Sequence, residues 1–372
     1  MAGAPAPETV TVAVDANGAD LGPAEVAAGA ARAAESGVHV LLFGPEGEIG
    51  DVAPGVEVIP APVSIAKAPD PVRAARSTPE ASIVLAARAV AEGRAQALVA
   101  GGSTGTALAA GLFHVKRAPG IYRPALALPL PIPRNPVTLL DVGANTEVRP
   151  EHLVQFAFMG AAFVRAVLGI ERPRVGLLSN GTEVARGSEL VLAAHATLAE
   201  RTADSDALEF VGNVEGDGVT AGAADVVVSD GFMGNVALKL IEGVSQTILD
   251  AVREAALSSP RSKLGGALLR PALRGFRAEI DPEEQGGAYL LGLRRLGVVP
   301  HGRFTRLGIG RAIERAALGV RQDVVGRTHQ ALAAAGALRT PPAAQAGAAP
   351  AEAATARGVV PPSGSATSVS PA

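Results

Sequence analysis

Short apolar runs alternate with longer segments of helical spacing along most of this 372-residue chain. Eight runs rich in Val, Leu, Ile and Ala predict β-strands, and most of them precede ten or more residues in which apolar positions recur every three or four residues. The predicted strands are 9–16, 39–44, 97–102, 125–130, 138–143, 174–180, 209–213 and 225–231. Ala-rich windows at 24–36 and 80–92 supply strong helix formers between them. This alternation favours an α/β fold with three layers, αβα, around a mostly parallel, doubly wound sheet.

Turns of small polar residues and glycines follow several predicted strands. The pattern is clearest in residues 139–160, LLDVGANTEVRPEHLVQFAFMG, where an apolar run ends in a Gly/Asn turn and a helix opens on Pro150. It recurs in residues 99–111, 176–187, 211–218 and 226–243. Such turns expose unpaired N–H groups before a helix, so an anion is the first ligand to consider. Because the pattern recurs, we expect one composite anion site.

Composition narrows the functional classes. The balance of 33 basic and 36 acidic residues, with only 3% aromatic residues, disfavours nucleic-acid binding. The absence of cysteine excludes a disulfide framework, a thiolate nucleophile and a cysteine-based zinc site. The N-terminal residues lack the pattern of a signal peptide, and no charge-free apolar run reaches the roughly 18 residues of a spanning helix. We therefore expect a cytoplasmic protein.

The chain organisation is simple. Residues 9–335 predict a single α/β catalytic unit, whereas residues 340–372 are rich in Pro, Ala, Ser and Gly and are expected to be disordered. No G-x-G-x-x-G fingerprint, phosphate-binding G-x-x-x-x-G-K-[ST] motif or metal-ligand spacing occurs. We therefore expect neither a cofactor nor a metal.

Residues 261–277, RSKLGGALLRPALRGFR, predict a projecting basic amphipathic segment. At 100° per residue a cationic arc and an apolar arc lie side by side, which suits contact with an anionic lipid surface or an acidic protein. Glycines and Pro271 weaken the helix, so a broken hairpin and a solvated helix with a buried seam are alternatives. The candidate contact residues are Lys263, Leu269, Arg270, Leu273, Arg274, Phe276 and Arg277.

Motifs in a fixed order carry a family resemblance. The segments VAVDANGADLGP, GGSTGTALAAG, LLDVGANTEVRPEHLVQFAFMG, RVGLLSNGTEVARGSE and DVVVSDGFMGNVALKLIEG closely resemble the phosphate acyltransferase family of bacterial phospholipid synthesis. The chain departs from that family's usual residues at Asn17, Ala19, Gly102, Ser179–Asn180 and Arg186.

The resemblance implies transfer of a fatty acyl group from acyl carrier protein to inorganic phosphate. The acyl phosphate would then serve a membrane glycerol-3-phosphate acyltransferase. It also implies a homodimer, peripheral association with an anionic membrane surface, and a fold similar to phosphotransacetylases and isopropylmalate dehydrogenases. No cofactor is implied.

This chemistry sets three requirements for the site. It must hold a phosphate dianion, stabilise the oxyanion that forms on the thioester carbon, and let a thiolate leave. Direct attack by phosphate is the default mechanism. We assign Lys239 and Arg186 to charge stabilisation and His301 to hydrogen-bond donation towards phosphate or the leaving thiol. The candidate substrate-binding residues are Asp15, Gly18, Ser103, Thr104, Gly105, Asp141, Asn145, Asn180, Asn213, Asp230, Gly231 and Asn235.

Each assignment has a structural alternative. Asp141 and Asp230 commonly act as turn formers or helix caps, and Lys239 and Arg186 are by type usually solvated. A lone histidine such as His301 is more often structural. Two other functions also remain open, namely a phosphotransacetylase acting on acyl-CoA and a non-enzymatic scaffold for acyl carrier protein and lipid. The sequence leaves undecided whether Asp141 and Asn145 contact phosphate or only shape their turn.

Overall fold

The structure is a computed structural model that describes residues 9–133, 135–203 and 205–339. These residues belong to one compact unit. The predicted disordered segment, residues 340–372, lies outside the described residues.

The strands of the described residues form one eleven-stranded sheet. All eight predicted strands are present within a few residues of their expected bounds, and three further strands, β3, β10 and β11, were not predicted. The strands are β1 Val10–Asp15, β2 Val38–Gly44, β3 Val56–Pro60, β4 Ala97–Ala100, β5 Ala125–Leu130, β6 Val137–Leu140, β7 Arg174–Leu178, β8 Glu209–Val214, β9 Val226–Val228, β10 Ala288–Leu291 and β11 Leu296–Val299.

Helices occupy most of the connections between these strands. The two Ala-rich windows form α1 and α4, as predicted. The α-helices are α1 Pro23–Glu35, α2 Glu46–Ile49, α3 Pro71–Ser77, α4 Ser82–Ala91, α5 Thr104–Ala110, α6 Pro150–Leu168, α7 Glu189–Thr202, α8 Gly216–Ala221, α9 Gly231–Leu257, α10 Pro260–Glu279, α11 Pro282–Gln285, α12 Arg306–Arg321 and α13 Val324–Ala334. A π-helical turn, Gly111–Val115, extends α5.

The sheet confirms the predicted α/β class and adds a reversal of direction. Its strand order is β3-β2-β1-β4-β11-β10-β5-β6-β9-β7-β8. Neighbours are parallel from β3 to β11 and again from β6 to β8. Antiparallel pairing joins β11 to β10, β10 to β5 and β5 to β6. The two parallel blocks therefore run in opposite directions, and their carboxyl ends do not form one row.

Both faces of the sheet are covered by helices. In β1, Val12 and Val14 join one buried apolar cluster together with residues of α1, α6 and α12, whereas Ala13 joins a second cluster with residues of α4 and α5. Successive side chains of a strand point to opposite faces, so this alternation places β1 between two helical layers. The three-layer αβα arrangement follows.

Helix α6 lies in the core. It is 19 residues long and apolar enough by composition to cross a membrane, but 78% of that window is buried inside the protein. Phe156, Phe158 and Phe163 are fully buried along it. Burial against the sheet and neighbouring helices explains its apolar composition.

Helices α9 and α10 form a hairpin that is largely exposed. Only Gly231, Gly234 and Leu238 of α9 are buried. Helix α10 is continuous through Pro271, so the alternative of a broken segment is wrong. Its apolar side chains Leu269, Leu273 and Phe276 are 59%, 40% and 45% exposed. These three side chains are therefore not buried against the rest of the chain.

Candidate functional site

The turn after β6 is organised by a buried carboxylate. Asp141 is fully buried, and its Oδ1 accepts hydrogen bonds from the backbone N–H groups of Leu126 and Ala144, both at 3.0 Å. Its Oδ2 accepts from the backbone nitrogen and from Nδ2 of Asn145, both at 2.8 Å. Burial raises the pKa of Asp141, and these hydrogen bonds oppose that shift. Both oxygens of the Asp141 carboxylate therefore accept hydrogen bonds that stabilise the turn.

Asn145 links the turn to the preceding segment and to α9. Its Nδ2 also donates to the carbonyl of Pro124 at 2.7 Å, and its own carbonyl accepts from Gly231 N–H at 2.7 Å. The side chain is only 7% exposed. Asp141 and Asn145 thus shape the turn, and their contact with phosphate stays a prediction.

Helix α9 begins at this turn. The Asp230 carboxylate caps it by accepting from the N–H groups of Phe232 and Met233, both at 2.9 Å. A Cβ on Gly231 would lie 2.8 Å from the backbone of Asn145, so the close approach requires glycine. Asp230 and Gly231 therefore have clear structural roles.

The first turns of α9 place two polar side chains near the turn. Asn235 is exposed, and its Cγ lies 3.8 Å from the position of a Cβ on Gly143. One turn further on, Lys239 is 53% exposed, and its Nζ lies 2.8 Å from Glu242 Oε2. An ammonium has three donors, so this ion pair leaves Lys239 able to bind an anion.

The turns after β1 and β4 pack backbone against backbone. A Cβ on Gly18 would lie 1.9 Å from the carbonyl oxygen of Gly101, and one on Gly102 would lie 1.9 Å from the carbonyl oxygen of Gly18. Gly102 also has a φ of +114°. Both positions therefore require glycine. We call Asp15, Gly18, Gly101 and Gly102 the first-loop cluster.

His301 joins this cluster at the end of β11. It forms an isolated parallel bridge with Gly102. Burial lowers the pKa of His301, with further lowering by Arg303 and Lys239, while Glu242 and Asp20 oppose the shift. This shift favours the neutral imidazole. Its Nδ1 accepts from Arg303 N–H at 3.4 Å, which assigns the proton to Nε2 and makes Nε2 a donor.

Asp15 is a buried titratable group within the cluster. It is 5% exposed and accepts a hydrogen bond from Asn17 N–H at 3.1 Å. Burial raises its pKa to about 6, although hydrogen bonds from Ser82 and Asn17 act in the other direction. Asp15 is the last residue of β1, so its carboxyl group lies directly before the first loop.

Ser103, Thr104 and Gly105 begin helix α5. Ser103 caps the helix, with Oγ accepting from Thr106 N–H at 3.4 Å. A Cβ on Gly105 would lie 2.9 Å from Pro71 Cγ, so this first turn packs directly on α3. The contacts of Ser103 and Gly105 are structural.

The loop after β7 is held by Asn213 from β8. The Asn213 Nδ2 group donates to the carbonyls of Glu183 and Arg186 at 2.8 and 3.1 Å. Arg186 itself is 64% exposed and lies 3.8 Å from Glu183, so its guanidinium remains accessible. Asn180 is also exposed. Oγ of Ser179 and Oδ1 of Asn213 are buried, and neither has a hydrogen-bond partner among the described residues.

The candidate residues form two groups rather than one row. The first-loop cluster and His301 lie at the ends of β1, β4 and β11, whereas the Asp141, Asp230 and Arg186 turns follow the oppositely directed strands β6, β9 and β7. Helix α9 connects the groups, since Lys239 lies close enough to His301 to influence its pKa. Lys263, Arg270, Arg274 and Arg277 lie on exposed α10.

A cavity of about 720 Å³ was not anticipated from the sequence. It lies between Asn17–Ala19 of the first loop and a segment from Ser64 to Thr78 that includes α3. This segment lacks the strand–glycine-turn pattern, so no sequence signal points to the cavity. Within the described ranges, no group of three or more His, Asp or Glu residues has metal-site geometry.

Sequence comparison identifies relatives over most of the chain. A family described as "Fatty acid synthesis protein" matches residues 10–327. The phosphate acyltransferase of Geobacillus sp. (strain WCH70) is 43% identical over 327 residues, which cover 86% of this chain and 98% of the relative. The phosphate acyltransferase of Moorella thermoacetica is 43% identical over 321 residues, which cover 84% and 93%.

Solved structures of related shape agree with the fold. The EutD phosphotransacetylase from Staphylococcus aureus superposes with a TM-score of 0.56 at 18% identity and covers 84% of this chain and 94% of its own. A phosphotransacetylase from Streptococcus pyogenes gives a TM-score of 0.55 at 17% identity, covering 83% and 93%. At these identities the likeness concerns the fold.

Proposed function

We propose that this chain, which belongs to the phosphate acyltransferase family, takes its acyl group from acyl carrier protein and passes it to inorganic phosphate. The protein is an acyltransferase, and its substrates are phosphate and an acyl donor. The proposal concerns the donor, a long-chain acyl thioester of the carrier, and the use of the product in phospholipid synthesis. A membrane glycerol-3-phosphate acyltransferase would consume the acyl phosphate.

The reaction is a direct displacement. A phosphate oxygen forms a bond to the thioester carbonyl carbon, the carbon–sulfur bond breaks, and the sulfur leaves as thiolate or takes a proton. The leaving thiol has a pKa near 8.5 in its free state, so it needs little protonation. The chain has no cysteine to form a thioester intermediate. An acyl-enzyme is unnecessary because phosphate is itself the nucleophile.

The arrangement on helix α9 is the observation that supports this chemistry best. Asn235 lies against Gly143, Lys239 follows one turn later, and Lys239 is close to neutral His301. An amide, an ammonium and an imidazole N–H donor can hold phosphate and stabilise the oxyanion. Arg186, accessible on the neighbouring loop, adds a second cation.

The test is phosphate-dependent release of free carrier from palmitoyl-acyl carrier protein, with palmitoyl-CoA as a competing donor. We expect acyl phosphate to form in proportion to carrier released, and the carrier thioester to be preferred. Preference for palmitoyl-CoA would favour the phosphotransacetylase alternative. Carrier binding without phosphate-dependent turnover would favour the scaffold.

We also propose a cytoplasmic homodimer that associates peripherally with anionic membranes. The exposed side chains Leu240, Val244, Ile248 and Val252 recur every four residues along α9, so they form one apolar stripe. A stripe of this length is typical of a helix that packs on a partner. Light scattering should give twice the monomer mass for the wild type and the monomer mass for Leu240→Glu with Ile248→Glu. A dimeric variant would contradict this interface.

A further inference from the structure

The cavity beside the first loop has the chemistry of a binding site for the donor's arm. We propose that it binds the phosphopantetheine arm of the acyl donor, with Lys67 and Arg73 contacting the phosphate of that arm. This inference rests on the proposed function, because it names the part of a carrier thioester that the site recognises. The cavity, at about 720 Å³, falls within the usual size range of small-ligand pockets, about 300–1,000 Å³.

One end of the cavity lies at Gly18, a residue of the first-loop cluster. Gly18 lines the cavity and also contacts the backbone of Gly101 and Gly102. Gly102 pairs in turn with His301. A thioester at the Gly18 end would therefore lie beside the first-loop cluster and His301, and the remainder of the arm would extend along the segment from Ser64 to Thr78.

The lining matches a chain of alternating amide and methylene groups. The Oδ1 atom of Asn17 and the Thr78 hydroxyl offer polar atoms to amides, and Ile65 and Ala74 offer apolar contacts to the methylenes. A pantetheine arm carries both kinds of group, whereas inorganic phosphate alone would leave the apolar lining unused. A bare acyl chain would leave the polar atoms without partners, which is costly.

Two cations belong to the lining of the cavity. Lys67 and Arg73 both line the cavity, and both are exposed. Among the described residues, the ion pairs of the protein involve neither of them. Asp70, the acid of this lining, accepts a hydrogen bond from Arg73 N–H at 2.9 Å as the cap of α3. The guanidinium and the ammonium thus remain available for a phosphate.

Asn17 holds the two sides of the cavity together. Its Nδ2 donates to the carbonyls of Ala61 and Pro62 at 3.3 and 3.1 Å, and the Ser64 hydroxyl donates to its carbonyl at 2.6 Å. These bonds tie the first loop to the start of the segment opposite. Asn17 is therefore a positioning residue for the cavity.

Binding of the isolated arm tests the inference without turnover. Calorimetry compares 4′-phosphopantetheine with pantetheine, which differ only in the phosphate. We expect the wild type to bind the phosphorylated form about tenfold more tightly, the effect of one charge-assisted contact. Lys67→Ala with Arg73→Ala should abolish this difference. Arg76→Ala, on the same helix but outside the lining, should retain it. Equal affinities in the wild type would overturn the inference.

Turnover separates this inference from the proposed function. Decanoyl-phosphopantetheine and decanoyl-N-acetylcysteamine are compared as donors to phosphate. If palmitoyl-acyl carrier protein supports no acyl phosphate formation in the wild type, the proposed function fails, whatever the binding result. Where both short donors support turnover, the ratio of their kcat/KM values should fall about tenfold in the double variant and stay unchanged in Arg76→Ala. An unchanged ratio in the double variant would overturn the role of Lys67 and Arg73.

Discussion

The Asp141 carboxylate receives two hydrogen bonds from Asn145, one from the backbone N–H and one from the side-chain amide, both at 2.8 Å. The same carboxylate accepts two further backbone N–H groups, so four donors converge on one fully buried side chain. This relationship gives the turn between β6 and α6 its shape. It also explains how a buried acid is tolerated there.

Asp141→Asn should destabilise the protein strongly. The substitution replaces one acceptor oxygen by an NH₂ group that faces N–H donors, and buried donors lose their partners. We expect a loss of about 3 kcal/mol in the free energy of unfolding, measured by urea denaturation. Asp230→Asn is the control, because asparagine caps helices as well as aspartate does. Equal losses in the two variants would contradict the role of Asp141.

Asp15 should make stability fall as pH rises. Its pKa in the folded protein is about 6 against an ordinary value of 3.8, so between these values the folded state holds a proton that the unfolded state has lost. The associated stability is therefore present below about pH 4 and is lost as pH rises through 6. Asparagine does not titrate, so this loss of stability should be absent from Asp15→Asn. The difference in unfolding free energy between the variant and the wild type should therefore change by up to about 3 kcal/mol between pH 4 and pH 7. Parallel pH profiles of the two proteins would contradict it.

The Asn213 side chain should stabilise the loop that carries Arg186, whereas the Ser179 hydroxyl should not. Asn213→Ala removes both hydrogen bonds to the carbonyls of Glu183 and Arg186, and we expect a loss of about 2 kcal/mol in unfolding free energy together with a higher KM for phosphate. Ser179→Ala removes a buried hydroxyl that has no hydrogen-bond partner in the part of the chain that the structure describes, so the unfolding free energy of the variant should be unchanged or higher. A larger loss in Ser179→Ala than in Asn213→Ala would refute this assignment.

The pKa of His301 should respond in opposite directions to two changes on α9. Lys239 lowers this pKa and Glu242 raises it. Lys239→Met should therefore raise the pKa of His301, and Glu242→Gln should lower it, in titrations followed by NMR. If neutral His301 is the active form, the acid limb of the pH profile of kcat/KM should move to higher pH in Lys239→Met. Identical His301 titrations in both variants would show that α9 does not approach the imidazole.

The exposed apolar arc of α10 should carry membrane association. Leu269 and Phe276 are 59% and 45% exposed beside the cationic arc. We expect Leu269→Glu with Phe276→Glu to abolish flotation with vesicles that contain anionic phosphatidylglycerol, since it removes apolar contact and adds repulsion. The matched control is Val72→Glu with Leu168→Glu, two exposed apolar residues outside the hairpin. Unchanged flotation of the α10 variant would exclude this segment as the membrane contact.

Local patterns in the chain are strong enough to predict most elements. The eight predicted strands exist because apolar β-formers must be buried between two helical layers, and this requirement is visible in the order of residues. Two of the three missed strands, β10 and β11, are four residues each and lie at the centre of the sheet. Such short apolar segments are ambiguous in sequence, because only pairing with distant strands decides their conformation.

The sequence by itself determined the α/β class, the turns rich in glycine and the family resemblance, since these depend on residues near one another along the chain. The tertiary structure alone decided the rest. Antiparallel pairing through β10 and β5 reverses the direction of the second block of strands. Asp141 and Asn145 hydrogen-bond to each other within their turn, and Lys239 of α9 lies near His301. These outcomes depend on contacts between residues far apart in sequence, whose geometry is set by sheet pairing and core packing rather than by local preference.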